Sequence, residues 1–124
     1  MIVIDSSFWL ELFEGSRYGK IINDNKDFLN YNFLVPSITV IEVYKKLLIE
    51  KDSNTALLYT TQMKVGKVID LDFELAIIAA QNGKKYKLPL ADSIIYTTSL
   101  ENNATLYTLD KHFKDLPNVE YYQK

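Results

Sequence analysis

An α/β fold on a mostly parallel sheet is predicted by three features of this 124-residue chain. Short apolar or β-branched runs alternate with stretches of helical periodicity, the connections between them are short, and a carboxylate recurs where a run meets the next helix. Such alternation implies βαβ units with right-handed crossovers. The expected architecture is a three-layer α/β/α sandwich with four or five strands, folding as a single domain over residues 1–124.

Ile2-Val3-Ile4 reads as a strand ending at Asp5, with Ser6 and Ser7 as caps for a helix through Phe13. Gly15 and Gly19 mark a turn, after which Ile21, Ile22, Phe28 and Leu29 are spaced for a helix over residues 18–29. Phe33-Leu34-Val35 forms a second strand stopped by Pro36, and Ser37 would cap a helix running to about Glu50. Another helix is predicted over residues 52–65, before Gly66 turns the chain into a strand at Lys67-Val68-Ile69. Asp72 suits the N-cap of the next helix and Gly83 its C-cap, leaving Lys84-Lys85-Tyr86-Lys87 as a basic loop. Pro89 fits the first turn of a helix carrying Asp92, Ile94, Ile95 and Leu100, which Asn102-Asn103 ends. Residues 104–109 then read as a strand delivering Asp110, followed by a helical turn around His112 and Phe113 and an edge strand over residues 119–122.

Composition narrows the chemistry. Hydrophobic residues at 48% and charged residues at 24% describe a globular chain and exclude a disordered one. With no cysteine and one histidine, thiolate and imidazole-rich metal sites are ruled out, which leaves hard cations held by oxygen. No run approaches the ~20 apolar residues of a membrane span, and no basic or apolar leader precedes Asp5, so the expected location is the cytoplasm. A net charge of −2 means that any nucleic-acid binding would rest on local patches.

Asp5, Glu42, Asp92 and Asp110 are the residues on which function turns. In a parallel sheet, segments that leave the carboxyl ends of strands converge on one edge, where ligands bind. Gathered carboxylates repel unless a cation sits among them, so the pattern points to a divalent-metal site and to phosphate chemistry. Each acid also has a simpler reading: Asp5 and Asp110 as N-caps, Asp92 as a favourable charge in a first helical turn, and Glu42 as the partner of Lys45 or Lys46. Glu42 fits its simpler reading worst, because it lies too deep for a capping box begun at Ser37 and is bordered by Ile38, Val40, Ile41 and Val43.

The order of these blocks resembles the PIN-domain nucleases over nearly the whole chain. They are Asp5 after Ile2-Val3-Ile4, Glu42 in the stretch from Ser37 to Val43, Asp92 in the stretch from Leu88 to Ile95, and Asp110 in the stretch from Leu106 to Phe113. The chain most resembles the small stand-alone VapC-like toxins of prokaryotic toxin–antitoxin pairs. It departs from the pattern at Tyr96, Thr97 and Thr98, where relatives often carry small residues. The resemblance implies a Mg2+- or Mn2+-dependent endoribonuclease in which Asp5, Asp92 and Asp110 hold one or two cations, with Glu42 as a further ligand or as the group that positions the attacking water. Ser6 and Thr108 are candidates to orient these carboxylates. The resemblance also implies a cognate antitoxin and a homodimer; Phe8, Trp9, Leu12 and Phe13 on one short helix are more apolar bulk than one core-facing stripe needs, so some of them would meet another chain or all would be buried.

For RNA contacts the sequence nominates Lys45, Lys46, Lys84, Lys85, Lys87 and Lys111, with Tyr86 or Tyr107 as stacking surfaces, while His112, which follows Asp110 closely and could touch phosphate, is read in preference as packed or solvated and not as a general base. Competing functions are a non-catalytic PIN-like module that binds protein or RNA, and a metal-dependent DNA nuclease, since carboxylates and metal do not by themselves tell RNA from DNA. An aspartyl-phosphate enzyme is disfavoured because Asp5 is not followed by the Asp-x-Asp arrangement.

Overall fold

In the computed structural model, which describes residues 1–124, five strands form one parallel sheet in the order β3-β2-β1-β4-β5. The strands are β1 (Ile2–Ile4), β2 (Phe33–Pro36), β3 (Lys67–Ile69), β4 (Thr105–Thr108) and β5 (Val119–Tyr121). Around them run α1 (Ser6–Glu14), α2 (Arg17–Asn23), α3 (Lys26–Leu29), α4 (Ser37–Glu50), α5 (Ser53–Gln62), α6 (Phe73–Tyr86) and α7 (Leu90–Glu101). From β1 the chain builds outward through β2 and β3 on one side and through β4 and β5 on the other. The β1/β4 boundary is therefore the switch point of the sheet, where loops leaving adjacent strands diverge and open a crevice.

Both faces of the sheet are covered, so β1 and β2 are apolar throughout instead of alternating. Ile2, Ile4, Phe33 and Val35 face a core completed by Phe8 and Trp9 of α1, Ile22 of α2, Val43 and Leu47 of α4 and Ala56 of α5. Val3, Leu34 and Leu106 face the opposite core, with Ile95 and Tyr96 of α7 and Phe113. No helix is long and apolar enough to cross a membrane.

Several local expectations are corrected. The helix predicted over residues 18–29 is two helices, α2 and α3, because the Asn25 side chain accepts the Phe28 N–H and starts a new turn. Ser37 does not cap α4; it is the first helical residue, directly after Pro36 ends β2. The stretch 52–65 is α5 followed by a 3-10 turn, Met63–Val65, with Asp52 as the cap. Gly83 does not end α6, and Lys84, Lys85 and Tyr86 form its last turn instead of a loop; Lys87, at φ 57°, is the C-cap. The glycine has another purpose: a Cβ there would lie 3.2 Å from Ser93 Cβ, so its absence lets α6 sit closely on α7.

Closer support of α7 explains why it tolerates polar residues. Residues Asp92 to Ser99 are all buried, and the departures at Tyr96, Thr97 and Thr98 are each satisfied there. The Tyr96 hydroxyl donates to the Pro117 carbonyl at 2.7 Å, Thr97 accepts from Asn82 at 2.9 Å, and Thr98 donates to the Ile94 carbonyl at 2.8 Å.

Gly19 shows the tightest helix contact that bears on α1. A Cβ at this position would fall 2.5 Å from the Glu11 carbonyl oxygen and 2.7 Å from Leu12 Cα. Gly19→Ala would ordinarily favour a helix by about 0.5–1 kcal/mol. Here it should instead destabilise the fold by about 1–3 kcal/mol through overpacking. A lowered urea midpoint at unchanged m-value is the expected reading, and an unchanged midpoint would refute the contact.

Candidate active site

Asp5 is the residue immediately after β1 and occupies the N-cap position of α1, yet its side chain makes no capping hydrogen bond. The carboxylate instead receives two hydroxyls on the same oxygen: Ser7 and Thr108 each donate to Oδ2 at 2.8 Å. Thr108 closes β4 beside β1, and its Oγ1 also accepts the Asp110 backbone N–H at 2.9 Å. One hydroxyl thus ties Asp5 to the backbone that presents Asp110. Ser7 extends the link by accepting the Leu109 N–H at 3.1 Å.

The remaining acids arrive from either side of the switch point. Asp92 lies in the first turn of α7, and Asp110 caps the 3-10 turn Lys111–Phe113 by accepting the His112 N–H at 2.9 Å. Capping is therefore true of Asp110, but it uses one oxygen only. Glu42 comes from α4, and its Oε1 is buried without a hydrogen-bond partner. The lysine pairing considered for Glu42 is not made by Lys46, which bridges to Glu50 at 3.1 Å.

Charge and burial act together on these groups. Asp5 is pushed up to about 6, chiefly by burial and further by the Asp92 charge, against the lowering pull of Ser7 and Thr108. Glu42 is raised by burial first and then by the charge of Asp5, with smaller contributions from Asp92 and Asp110, while the Ser6 hydroxyl pulls it down. Asp92 is raised by burial and by Asp110, and lowered by His112. Asp5, Glu42 and Asp92 are each raised in part by the charge of a neighbouring acid, a pattern that suits a shared cation or proton site.

Two participants were not predicted. Ser7, not Ser6, serves Asp5; both serines lie in the first turn of α1, and nothing in their spacing tells which will face β4. His112, expected to be packed or solvated, places Nδ1 2.9 Å from Asp92 Oδ2 and 3.3 Å from Asp110 Oδ1. Its closeness to Asp110 is visible in the sequence; its approach to Asp92, twenty positions earlier, is not.

An open cleft of about 540 Å3 borders Ser7 and Asp110 and is walled also by Glu11, Lys46 and Lys124, the last two forming ion pairs with Glu50 and Glu11. Lys111 lies in the turn beside Asp110, and Lys87 in the link to α7. Lys84 and Lys85 are in the last turn of α6, whereas Lys45 lines a different groove with Ile41 and Val68. Tyr86 and Tyr107 pack internally, edge-on to Tyr96 and Phe8 respectively, which takes up ring surface that a base would need. Phe8 and Trp9 are buried, while Leu12 and Phe13 are partly buried against the core and line an apolar cleft of about 440 Å3 that reaches none of the four acids.

A family model described as PIN domain matches residues 2–119. No curated protein sequence matches the chain significantly. Among solved structures, a toxin–antitoxin complex from Klebsiella pneumoniae superposes with a TM-score of 0.81 at 20% identity, covering 97% of this chain and 96% of that one. VapC20 of Mycobacterium tuberculosis, described as a toxin that cleaves the sarcin–ricin loop, gives 0.78 at 14% identity, covering 97% and 98%. FitAcB from Neisseria gonorrhoeae gives 0.75 at 19% identity, covering 99% and 97%. At these identities the likeness is one of fold.

The raised Asp5 sets a pH dependence of stability. Below about pH 4 the group is protonated in both folded and unfolded chains and costs nothing; as pH rises through about 6 the folded state must hold a buried charge, and stability falls. A shift of about two units corresponds to about 3 kcal/mol. Asp5→Asn, with divalent ions chelated, should therefore raise stability by up to about 3 kcal/mol near pH 7.5 and by nothing below about pH 4. Denaturant titrations at both pH values test this, and an equal effect at both would contradict the buried charge.

Proposed function

Because the chain belongs to the PIN domain family, we propose that it is a divalent-metal-dependent endoribonuclease, and the toxin of a toxin–antitoxin pair. The observation that carries the reading is the convergence of Asp5, Glu42, Asp92 and Asp110 from four separate segments at the switch point of the sheet. The donor set suits a hard cation such as Mg2+ or Mn2+, and the buried, unpartnered Glu42 Oε1 is an oxygen that lacks a partner within the protein. Asp5, Asp92 and Asp110 would hold the ion, which when bound supplies Lewis acidity to water and to the scissile phosphate.

The chain's own groups do the rest. Thr108 and Ser7 fix the orientation of Asp5 through Oδ2, and Thr108 couples that orientation to the Asp110 backbone. Glu42, raised from its ordinary value by burial and by the charge of Asp5 and with Oε1 unpartnered, is suited to orient the attacking water and accept its proton. Lys46 and Lys111 would contact the flanking phosphates, with Lys87, Lys84 and Lys85 farther along the strand; Lys45 is the weakest of the six candidates. RNA is favoured over DNA by the likeness in fold to VapC20, which is described as a toxin that cleaves the sarcin–ricin loop.

The partner reading rests on the likeness to the toxin–antitoxin complex from Klebsiella pneumoniae and on the apolar cleft lined by the partly buried Leu12 and Phe13. A homodimer acting in the cytoplasm, with residues 1–124 as a single nuclease domain, completes the proposal.

Cleavage of end-labelled RNA and single-stranded DNA pools by the purified protein, with Mg2+, Mn2+ or EDTA, tests the reading. RNA should be cut only with a divalent ion, and Asp92→Asn should reduce the rate by about 100-fold or more, as loss of a metal-holding carboxylate demands. A folded protein that binds RNA but cuts nothing in any metal would favour the non-catalytic alternative.

A further inference from the structure

We propose that His112 is a nitrogen ligand of the bound ion, making this a mixed carboxylate–imidazole centre that prefers a transition ion such as Mn2+ to Mg2+. The inference rests on the metal-dependent reading above and adds to it a donor that the four-acid pattern does not contain.

Geometry carries the argument. The ligand atoms of Asp92, Asp110 and His112 all lie within 4.8 Å of one another. Nδ1 stands 2.9 Å from Asp92 Oδ2 and 3.3 Å from Asp110 Oδ1. Donors bound to one ion at about 2.0–2.2 Å are separated by roughly 3.0 Å at a right angle and roughly 3.4 Å at a tetrahedral angle. Both measured separations therefore match edges of a coordination polyhedron.

The ring is also held where it is. The His112 N–H is bonded to Asp110 Oδ1, and the next residue, Phe113, is fully buried in the core, so the turn is pinned on both sides of the imidazole. The His112 side chain is 52% exposed against 12% for Asp92, which makes the imidazole the outer wall of the acid cluster, in reach of an ion entering from solvent. Mg2+ strongly favours oxygen donors, whereas first-row transition ions accept imidazole nitrogen, Mn2+ the least strongly of them and Fe2+, Ni2+ and Zn2+ more so. A different reading has His112 serve as an internal counter-charge that swings away when an ion binds, and the experiment separates the two.

Pulsed EPR of the tag-free, Mn2+-loaded protein reports imidazole nitrogen coupled to the ion, and His112 is the only histidine in the chain, so any coupling is its own. Competition calorimetry would follow Mn2+ and Mg2+ binding to the wild type and to His112→Ala. Support consists of nitrogen coupling in the wild type, its loss in His112→Ala, and an Mn2+ affinity reduced about 10-fold or more while Mg2+ affinity changes less than about 3-fold. Mn2+ bound without nitrogen coupling, or the two affinities changing in parallel, overturns the His112 assignment and leaves the acid site intact. Failure of either ion to bind the wild type overturns the metal-dependent reading together with it.

Discussion

A carboxylate kept almost wholly out of water beside three others is the constraint around which this fold is organised. Asp5 is destabilising where it sits, and its burial raises it to about 6. What holds it is a pair of hydroxyls directed at one oxygen, from Ser7 on α1 and Thr108 on β4. Those two donors exist at that point only because β1 and β4 are hydrogen-bonded neighbours, with Ile4 opposite Tyr107. Local charge and sheet topology are thus one problem: the site requires the strand order, and the strand order creates the crevice in which the charge can be used.

The two cores make that placement rigid. Because β1 and β2 are buried on both faces, their side chains alternate between two separate apolar clusters, and a slip of one residue would exchange the clusters entirely. Glycines fix the helices at close range, Gly19 between α1 and α2 and Gly83 between α6 and α7. The helix that supplies Asp92 is buried through eight consecutive residues, and its polar groups are satisfied by carbonyls and by Asn82. A carboxylate presented from such a helix has little freedom to move away from its neighbours, which is how repelling groups remain together.

The acid cluster then has two unequal sides. Asp5 is engaged by hydroxyls and Glu42 has a free buried oxygen, while Asp92 and Asp110 are engaged by His112. The same imidazole that offsets negative charge is positioned as a donor, so charge compensation and coordination are alternative uses of one geometry. The apolar cleft beside Leu12 and Phe13 is spatially distinct from the acids, although both border the α1 neighbourhood.

The layers and the parallel sheet were legible in the amino-acid sequence, which also singled out the four acids as candidates. Those follow from local periodicity and from where carboxylates stand relative to apolar runs, and both signals are carried by residues close together in the chain. The cap at Asp72, which depends on one side chain three residues away, was legible in the same way. Only the tertiary structure decided which serine faces Asp5, that His112 turns back onto Asp92 twenty positions earlier, that Gly83 serves helix contact instead of helix termination, and that Lys84 and Lys85 remain helical. Each of these depends on an atom brought near by a different segment, and the strand order that brings it there arises from the mutual burial of two faces, which no single stretch of the chain encodes.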